Sequence, residues 1–215
     1  MNQSSESSQL IFWGSGTART LRPIWVAEEL TISYQLMPIG PRTGETKTPE
    51  YTELNPKQKV PFCVDGELKL SESLAICRYL VNKYGSANSL QAPNSIEQQA
   101  KEDEWLCFIF GELDETSLYV MRRHGALSNI YGEAPAAMEA ASEYVIRQLK
   151  VIDKHMLGRE YVLNNRFSLP DVFLTTCLNW VEAYDIPMSA ELTEYRDKMT
   201  QRDAYKKAAK INKPD

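Results

Sequence analysis

Basic clusters, long apolar runs and paired cysteines are all missing from this sequence. No apolar run approaches the roughly 20 residues of a bilayer-spanning helix, so no helical membrane partner is expected. The first eight residues, MNQSSESS, carry neither a basic nor an apolar segment; they read as a disordered leader at 1–8 and not as a signal peptide. Lysine and arginine number 24 against 29 acidic residues, a net charge of −5. Sequence-independent grip on nucleic acid needs clustered positive charge, and only Lys206, Lys207 and Lys210 gather near one end, where a solvated helix end accounts for them. Cys63, Cys77, Cys107 and Cys177 stand alone in apolar stretches, with no C-x-x-C, and His124 and His155 lie far apart. That spacing excludes a zinc site and a dithiol centre and suits buried free thiols in a reducing, cytoplasmic setting. No metal site is expected.

What remains is the composition of a chain able to bury a core, with 43% hydrophobic and 25% charged residues. Residues 9–13 (QLIFW) read as a strand ending in the turn Gly14-Ser15-Gly16. Apolar spacing predicts a helix over about 19–30 and a strand over 33–38, followed by a loop over 40–58 with at most one short helix. Residues 59–64 (KVPFCV) read as a third strand, Asp65-Gly66 as a type I′ turn, and 67–70 as its paired strand. A helix then starts at Ser71-Glu72-Ser73, with Leu74, Ile76, Cys77, Leu80, Val81 and Tyr84 on its apolar face. Beyond a turn-rich linker at 85–95, helices are predicted at about 96–124, 135–157, 168–184, 190–199 and 202–211. The plan is an α/β domain over 9–84 joined to an all-α domain over 96–215.

Two places could hold an anionic, peptide-like ligand. A cis Val60-Pro61 bond would turn the Val60 N–H and C=O toward a cleft, where they could pair an extended peptide; an ordinary trans proline at a strand edge is the alternative. At the Ser71-Glu72-Ser73 helix start, free N–H groups favour a carboxylate, Ser73 could hold it, and Glu72 could pair an ammonium. The competing reading makes Ser71 or Ser73 a cap of its own helix.

The run Asn55-Pro56-Lys57-Gln58-Lys59-Val60-Pro61-Phe62, then Asp65-Gly66, then Leu70-Ser71-Glu72-Ser73-Leu74-Ala75-Ile76 resembles the glutathione-site signature of the cytosolic glutathione transferases. Gly16 to Leu30, G-x-x-R-x-L-R-P-x-W-x-x-E-E-L, is similar to the first helix of bacterial members. Phe167-Ser168-Leu169-Pro170-Asp171-Val172 resembles the family's capping box in the helical domain, with Ser168 as N-cap, Asp171 at N3 and a Phe167–Val172 staple.

The resemblance implies a thioredoxin-like glutathione-binding domain, a helical-bundle domain contributing the second-substrate pocket, glutathione as co-substrate, a small hydrophobic electrophile as its partner, and a homodimer. It implies binding by Lys47, Lys59, Val60, Pro61, Glu72 and Ser73, with Gln58 near the glycyl end. Members carry an activating Tyr, Ser or Cys just after the first strand. Here no tyrosine stands there, and counting back four from Arg22 reaches Ala18. A serine/threonine-like arrangement follows, with Thr17 first and Ser15 second as the hydroxyl that stabilises a thiolate, and Arg19 assisting electrostatically. Turn and cap roles compete for each hydroxyl. Trp13, Trp105, Phe108, Tyr119, Arg122 and Arg123 could line the second pocket, or serve packing and helix ends. A peroxidase, dehalogenase or isomerase activity, or a non-catalytic regulatory protein, would share this scaffold.

Overall fold

The computed structural model describes residues 9–86, 90–163 and 166–213; the expected leader at 1–8 and residues 87–89 of the expected linker lie outside them. The chain divides into two compact units, one formed by residues up to Gln91 together with those from Asp203 onward, the other by Ala92–Arg202.

In the first unit a four-stranded sheet runs in the order β2-β1-β3-β4. Its strands are β1 (Leu10–Trp13), β2 (Gln35–Met37), β3 (Phe62–Asp65) and β4 (Leu68–Ser71). β1 is parallel to β2 and antiparallel to β3, and β3 and β4 form a hairpin. Trp13 pairs with Phe62 and Phe12 with Cys63, so side chains alternate between two faces. Phe12 and Cys63 are fully buried. On the opposite face, Tyr51 of α2 (Pro49–Leu54) stacks against Trp13 and Phe62, at 5.6 and 6.2 Å between ring centroids. The hairpin turn is shifted by one residue from the sequence reading. Asp65 pairs with Leu68, so Gly66-Glu67 form the loop, and only Gly66 has positive φ, 62°, the pattern of a type II′ turn.

α1 (Ala18–Glu29) is buried continuously from Thr20 to Ala27. A helix hidden on all sides needs neighbours on all sides, and α1 packs against both α3 (Ser73–Tyr84) and α10 (Asp203–Ile211). Tyr205 meets Trp25 edge-on at 4.9 Å, and the Lys207 ammonium lies 2.6 Å from the Glu28 carboxylate. α10 therefore belongs with the α/β unit, whereas the sequence alone extends the helical domain through 215.

The helical unit comprises α4 (Ile96–Phe108), a π-helical stretch Ile109–Leu118, α5 (Tyr119–His124), α6 (Ser128–Tyr131), α7 (Pro135–Met156), α8 (Leu169–Ala183) and α9 (Ala190–Thr200). The expected continuous helix at 96–124 is thus interrupted. Tyr119 N–H donates to Asp114 O, and the Ser117 hydroxyl reaches back to the Glu112 and Leu113 carbonyls, which suits the wider turn. α7 buries Ala141, Val145, Leu149, Ile152 and Met156 at helical spacing, and α8 is buried from Leu169 through Leu178. The capping box at Ser168 forms and has a wider reach. One Asp171 oxygen accepts from Ser168 N–H and Oγ–H at 2.8 and 2.9 Å, the other from Val162 N–H and the Tyr195 hydroxyl at 2.8 Å each. Burial pushes the Asp171 carboxyl up to about 6 against those four donors.

Cys63, Cys77 and Cys177 are buried, and burial pushes the Cys63 thiol up to about 12. Cys107 is exposed on α4, contrary to the reading of four buried thiols. No helix among the described residues is long and apolar enough to cross a membrane.

Asp65 ties the hairpin to α3. Burial pushes its carboxyl up, but hydrogen bonds from Lys83, Tyr84 and Tyr79, at 2.6, 2.7 and 2.7 Å, more than offset this and hold it at about 2. The folded value lies below the unfolded one, so the stabilisation is present above about pH 4 and is lost as pH falls toward 2. Its size is about 2 kcal/mol. Urea unfolding from pH 5 to 2 should therefore fall steeply for the wild type and less steeply for Asp65→Asn, with the variant already weaker at pH 5.

Candidate functional site

Because β1 and β3 are antiparallel and β3 and β4 form a hairpin, the end of β1, the start of β3 and the end of β4 lie at one edge of the sheet. Trp13–Phe62 and Phe62–Ser71 are the last pairs there. Three chain segments follow directly from that edge: 14–17 into α1, 60–61 into β3, and 72–73 into α3. The proposed hydroxyls and the expected binding residues fall on these segments, except Lys47, Gln58 and Lys59.

The first segment runs through two glycines. Gly14 has φ +112°, and a Cβ on it would lie 2.5 Å from Val60 Cβ and 3.0 Å from Thr20 Cγ2. The 14–17 and 60–61 segments therefore touch backbone to side chain, with room for hydrogen only. Gly14 N–H and Ser15 N–H bond to Met37 O and Ile39 O at 2.9 and 3.1 Å, continuing the parallel pairing with β2. Gly16, φ +79°, then leads into the helix.

Thr17 is the N-cap of α1. Its Oγ1 accepts from Thr20 N–H at 3.0 Å, and Thr20 Oγ1 accepts from Thr17 N–H at 3.0 Å, a reciprocal capping box. The cap role weighed from the sequence is thus realised at Thr17. It uses an oxygen lone pair, and the hydroxyl proton remains to be donated. Ser15 is 2% exposed, while Thr17 is half-buried and closer to solvent. Arg19 is half-buried in the first turn of α1.

At the second segment the Val60–Pro61 peptide is cis. The ladder begins only at Phe62, leaving Val60 ahead of it. The approach to Val60 is fixed by Asn55 and Tyr51, whose Nδ2 and hydroxyl donate to Lys59 O at 2.9 and 2.7 Å. Lys59 therefore contributes its carbonyl to the loop, and its side chain is exposed. The Gln58 amide donates to Thr52 Oγ1 at 2.9 Å. Lys47 is exposed in the 3₁₀ turn Glu45–Lys47, away from the three converging segments in sequence.

At the third segment the helix start carries no side-chain cap. Glu72 is the N-cap of α3, with φ 74° and ψ 120°, and its side chain makes no cap bond. That backbone region is strained for a residue with a side chain, and such strain gathers at functional sites. Ser73 is the first helical residue, 3% exposed, and its Oγ has no hydrogen-bond partner. Neither serine caps the helix by side chain. Lys57, which the sequence did not single out, donates to Ser71 Oγ at 2.8 Å and lies 3.4 Å from Glu72 Oε1. Both side chains of that ion pair are 58% exposed, so its contribution is small.

A buried, unpartnered hydroxyl at a helix start beside an exposed carboxylate, weakly paired to Lys57, suits a ligand carrying adjacent negative and positive groups. In the helical unit, Trp105 packs on Phe108 and His155 at 5.6 and 3.9 Å. Arg122 and Arg123 lie over the Trp180 and Tyr131 rings at 5.7 and 4.7 Å. These groups make packing contacts within their own unit. Among the described residues no cluster of three or more His, Cys, Asp or Glu could hold a metal ion.

Gly14→Ala tests the convergence. Its Cβ would strike Val60 Cβ, which is fixed to backbone, at a φ that alanine rarely adopts. A loss of about 2 kcal/mol or more in urea unfolding is expected.

Residues 8–82 match the N-terminal domain of glutathione S-transferase and residues 108–203 its C-terminal domain, together more than half of the chain. Glutathione S-transferase F10 of Arabidopsis thaliana is 26% identical over 211 residues, covering 92% of this chain and 95% of the relative. Glutathione S-transferase 1 of Triticum aestivum is 40% identical over 87 residues, 39% of this chain and 38% of its own. Among solved structures, a Pseudomonas putida glutathione transferase with glutathione disulfide bound superimposes with TM-score 0.83 at 22% identity, covering 98% and 95% of the two chains. Ure2p in complex with glutathione does so with TM-score 0.84 at 20% identity, covering 97% and 95%. With both domains matched in order along the chain, the protein belongs to the glutathione S-transferase family.

Proposed function

We propose that this protein binds glutathione at the three converging segments and activates its thiol for attack on small hydrophobic electrophiles. The observation that carries the reading is Ser73, a buried hydroxyl at a helix start with no partner of its own. Glutathione's γ-glutamyl end offers a carboxylate to Ser73 Oγ and the α3 N-terminus, and an ammonium to Glu72. The Val60 backbone, ahead of the ladder, can pair the central peptide unit as a strand would. The solved Pseudomonas putida and Ure2p relatives carrying glutathione or its disulfide support this ligand class.

On this reading the thiol lies toward Thr17. A hydroxyl donor and the positive end of α1 both favour S⁻ over SH, so the proton passes to solvent and thiolate persists at neutral pH. The sulfur lone pair then forms a C–S bond with the electrophilic carbon. Either the leaving group departs with its bonding pair, or an activated alkene takes a proton from water at the neighbouring carbon. Thr17 donates to sulfur while its oxygen keeps the bond from Thr20 N–H.

Binding without turnover is the second reading, favoured by the capping box that already occupies Thr17. Thiolate absorbance of glutathione under saturating protein separates the two. Activation predicts an apparent thiol pKa about one unit or more below that of free glutathione, about 1.4 kcal/mol. Thr17→Ala should return the value most of the way, and Ser15→Ala should leave it in place. Equal conjugation by both alanine variants and the wild type would sink the assignment of Thr17. Ser73→Ala should weaken glutathione binding roughly tenfold by calorimetry, the size of a hydrogen bond to a charged group.

A further inference from the structure

The structure points to Asn212, just beyond α10, as a positioning residue for the Thr17 hydroxyl, an inference that rests on the proposed role of Thr17. Asn212 is separated from Thr17 by nearly the whole chain, yet it makes three hydrogen bonds to the segment that enters α1. Its Nδ2 donates to Thr17 O at 3.0 Å, its Oδ1 accepts from Thr20 Oγ1 at 2.7 Å, and its carbonyl accepts from Gly16 N–H at 2.8 Å. Asn212 N–H in turn donates to Ala208 O at 2.8 Å, which fixes it to α10. That helix is seated on α1 by the Tyr205–Trp25 contact and the Lys207–Glu28 pair.

The segment needs such a hold. Gly14 and Gly16 both sit at positive φ, where glycine supplies the conformation but no side chain to keep it. The β2 pairing ends with Ser15 N–H, so beyond it the backbone at Gly16 and Thr17 is held from the α10 side and by the cap itself.

Asn212 also directs a proton. Thr17 O has two lone pairs, and these receive Leu21 N–H at 3.0 Å and Asn212 Nδ2–H at 3.0 Å. Thr20 Oγ1 lies 2.9 Å from that same carbonyl, but the carbonyl is already filled. The single Thr20 hydroxyl proton therefore goes to Asn212 Oδ1. In the 3.0 Å contact between the Thr17 and Thr20 hydroxyls, Thr20 has no proton left to give, so Thr17 is the donor. Its proton rests on a neutral oxygen and is drawn away when a thiolate, the stronger acceptor, arrives. Without the Asn212 side chain the Thr20 proton is released toward Thr17 and the Thr17 carbonyl loses a bond, while the Gly16 N–H bond to the Asn212 carbonyl remains. A donor out of place by a fraction of an ångström stabilises the thiolate less.

The test measures thiolate titration of bound glutathione, S-methylglutathione affinity and conjugation kinetics for the wild type, Thr17→Ala, Asn212→Ala and the double variant. Asn212→Ala should leave roughly three- to tenfold less thiolate at neutral pH and lower kcat by the same factor. Affinity for S-methylglutathione, which has no thiol proton, should stay within about twofold. In the Thr17→Ala background the Asn212 change should add nothing, because it acts through Thr17. Lys207→Met, which removes the ion pair between α10 and Glu28 and leaves the Asn212 bonds in place, should keep the wild-type thiol titration.

An unchanged titration in Asn212→Ala would overturn the inference. So would a parallel loss of S-methylglutathione affinity in Asn212→Ala and Lys207→Met, or a full Asn212 effect on top of Thr17→Ala. A Thr17→Ala variant that titrates as the wild type overturns the Thr17 assignment itself, a distinct failure. Should Asn212→Ala not fold, Asn212→Leu removes both side-chain bonds at similar volume and adds no charge beside the thiolate. Its bound thiol should titrate higher than in the wild type, and a wild-type value would overturn the inference equally.

Discussion

Trp13 lies opposite Phe62, and Phe62 lies opposite Ser71. That register gathers the three converging segments, because a one-residue slip would turn every side chain to the other face and move each segment's exit from the edge. The approach it enforces is so close that Gly14 meets the Val60 side chain with no space for a Cβ. Backbone pairing therefore does the coarse assembly, and the cap of α1, the loop ahead of β3 and the start of α3 inherit their mutual positions from it.

Those three segments were legible in the sequence to the degree that their signals are local. Val60-Pro61 and Glu72-Ser73 sit beside strand and helix starts whose patterning spans a few residues, and Thr17 stands where a cap belongs. The turn lies one residue further along than Asp-Gly suggests because Gly66 takes positive φ in either arrangement, and only the pairing of Asp65 with Leu68 fixes which residues form the loop. The wide turn at Ile109–Leu118 left no trace in apolar spacing, since Ser117 bonding back to the chain alters hydrogen bonds while the sequence keeps the texture of a helix. Asn212, Lys57 and the partners of Asp65 were beyond reach for a plainer reason. Their meaning depends on residues distant in sequence, and an isolated polar residue near the end of a chain carries no signal of where it will dock.

Asp65 and Asp171 show how little residue type decides alone. Both are buried carboxylates with three or four donors, and they move in opposite directions. A lysine ammonium among the donors to Asp65 supplies a full compensating charge, whereas Asp171 meets only neutral N–H and O–H groups and desolvation prevails. The first clamps the hairpin to α3. The second joins the start of α8 to Val162 and to Tyr195 of α9.

The return of α10 to the α/β unit changes what kind of object that unit is. Its chain is discontinuous, so the helical unit is an insertion between two parts of one hydrophobic core. Genetic exchange that swapped only the first 91 residues would set α1 against a foreign final helix, its Trp25 no longer matched to Tyr205 and its Glu28 no longer matched to Lys207. The two ends of the first unit must therefore be inherited together, and a sequence change on one side of that seam constrains what evolution can accept on the other.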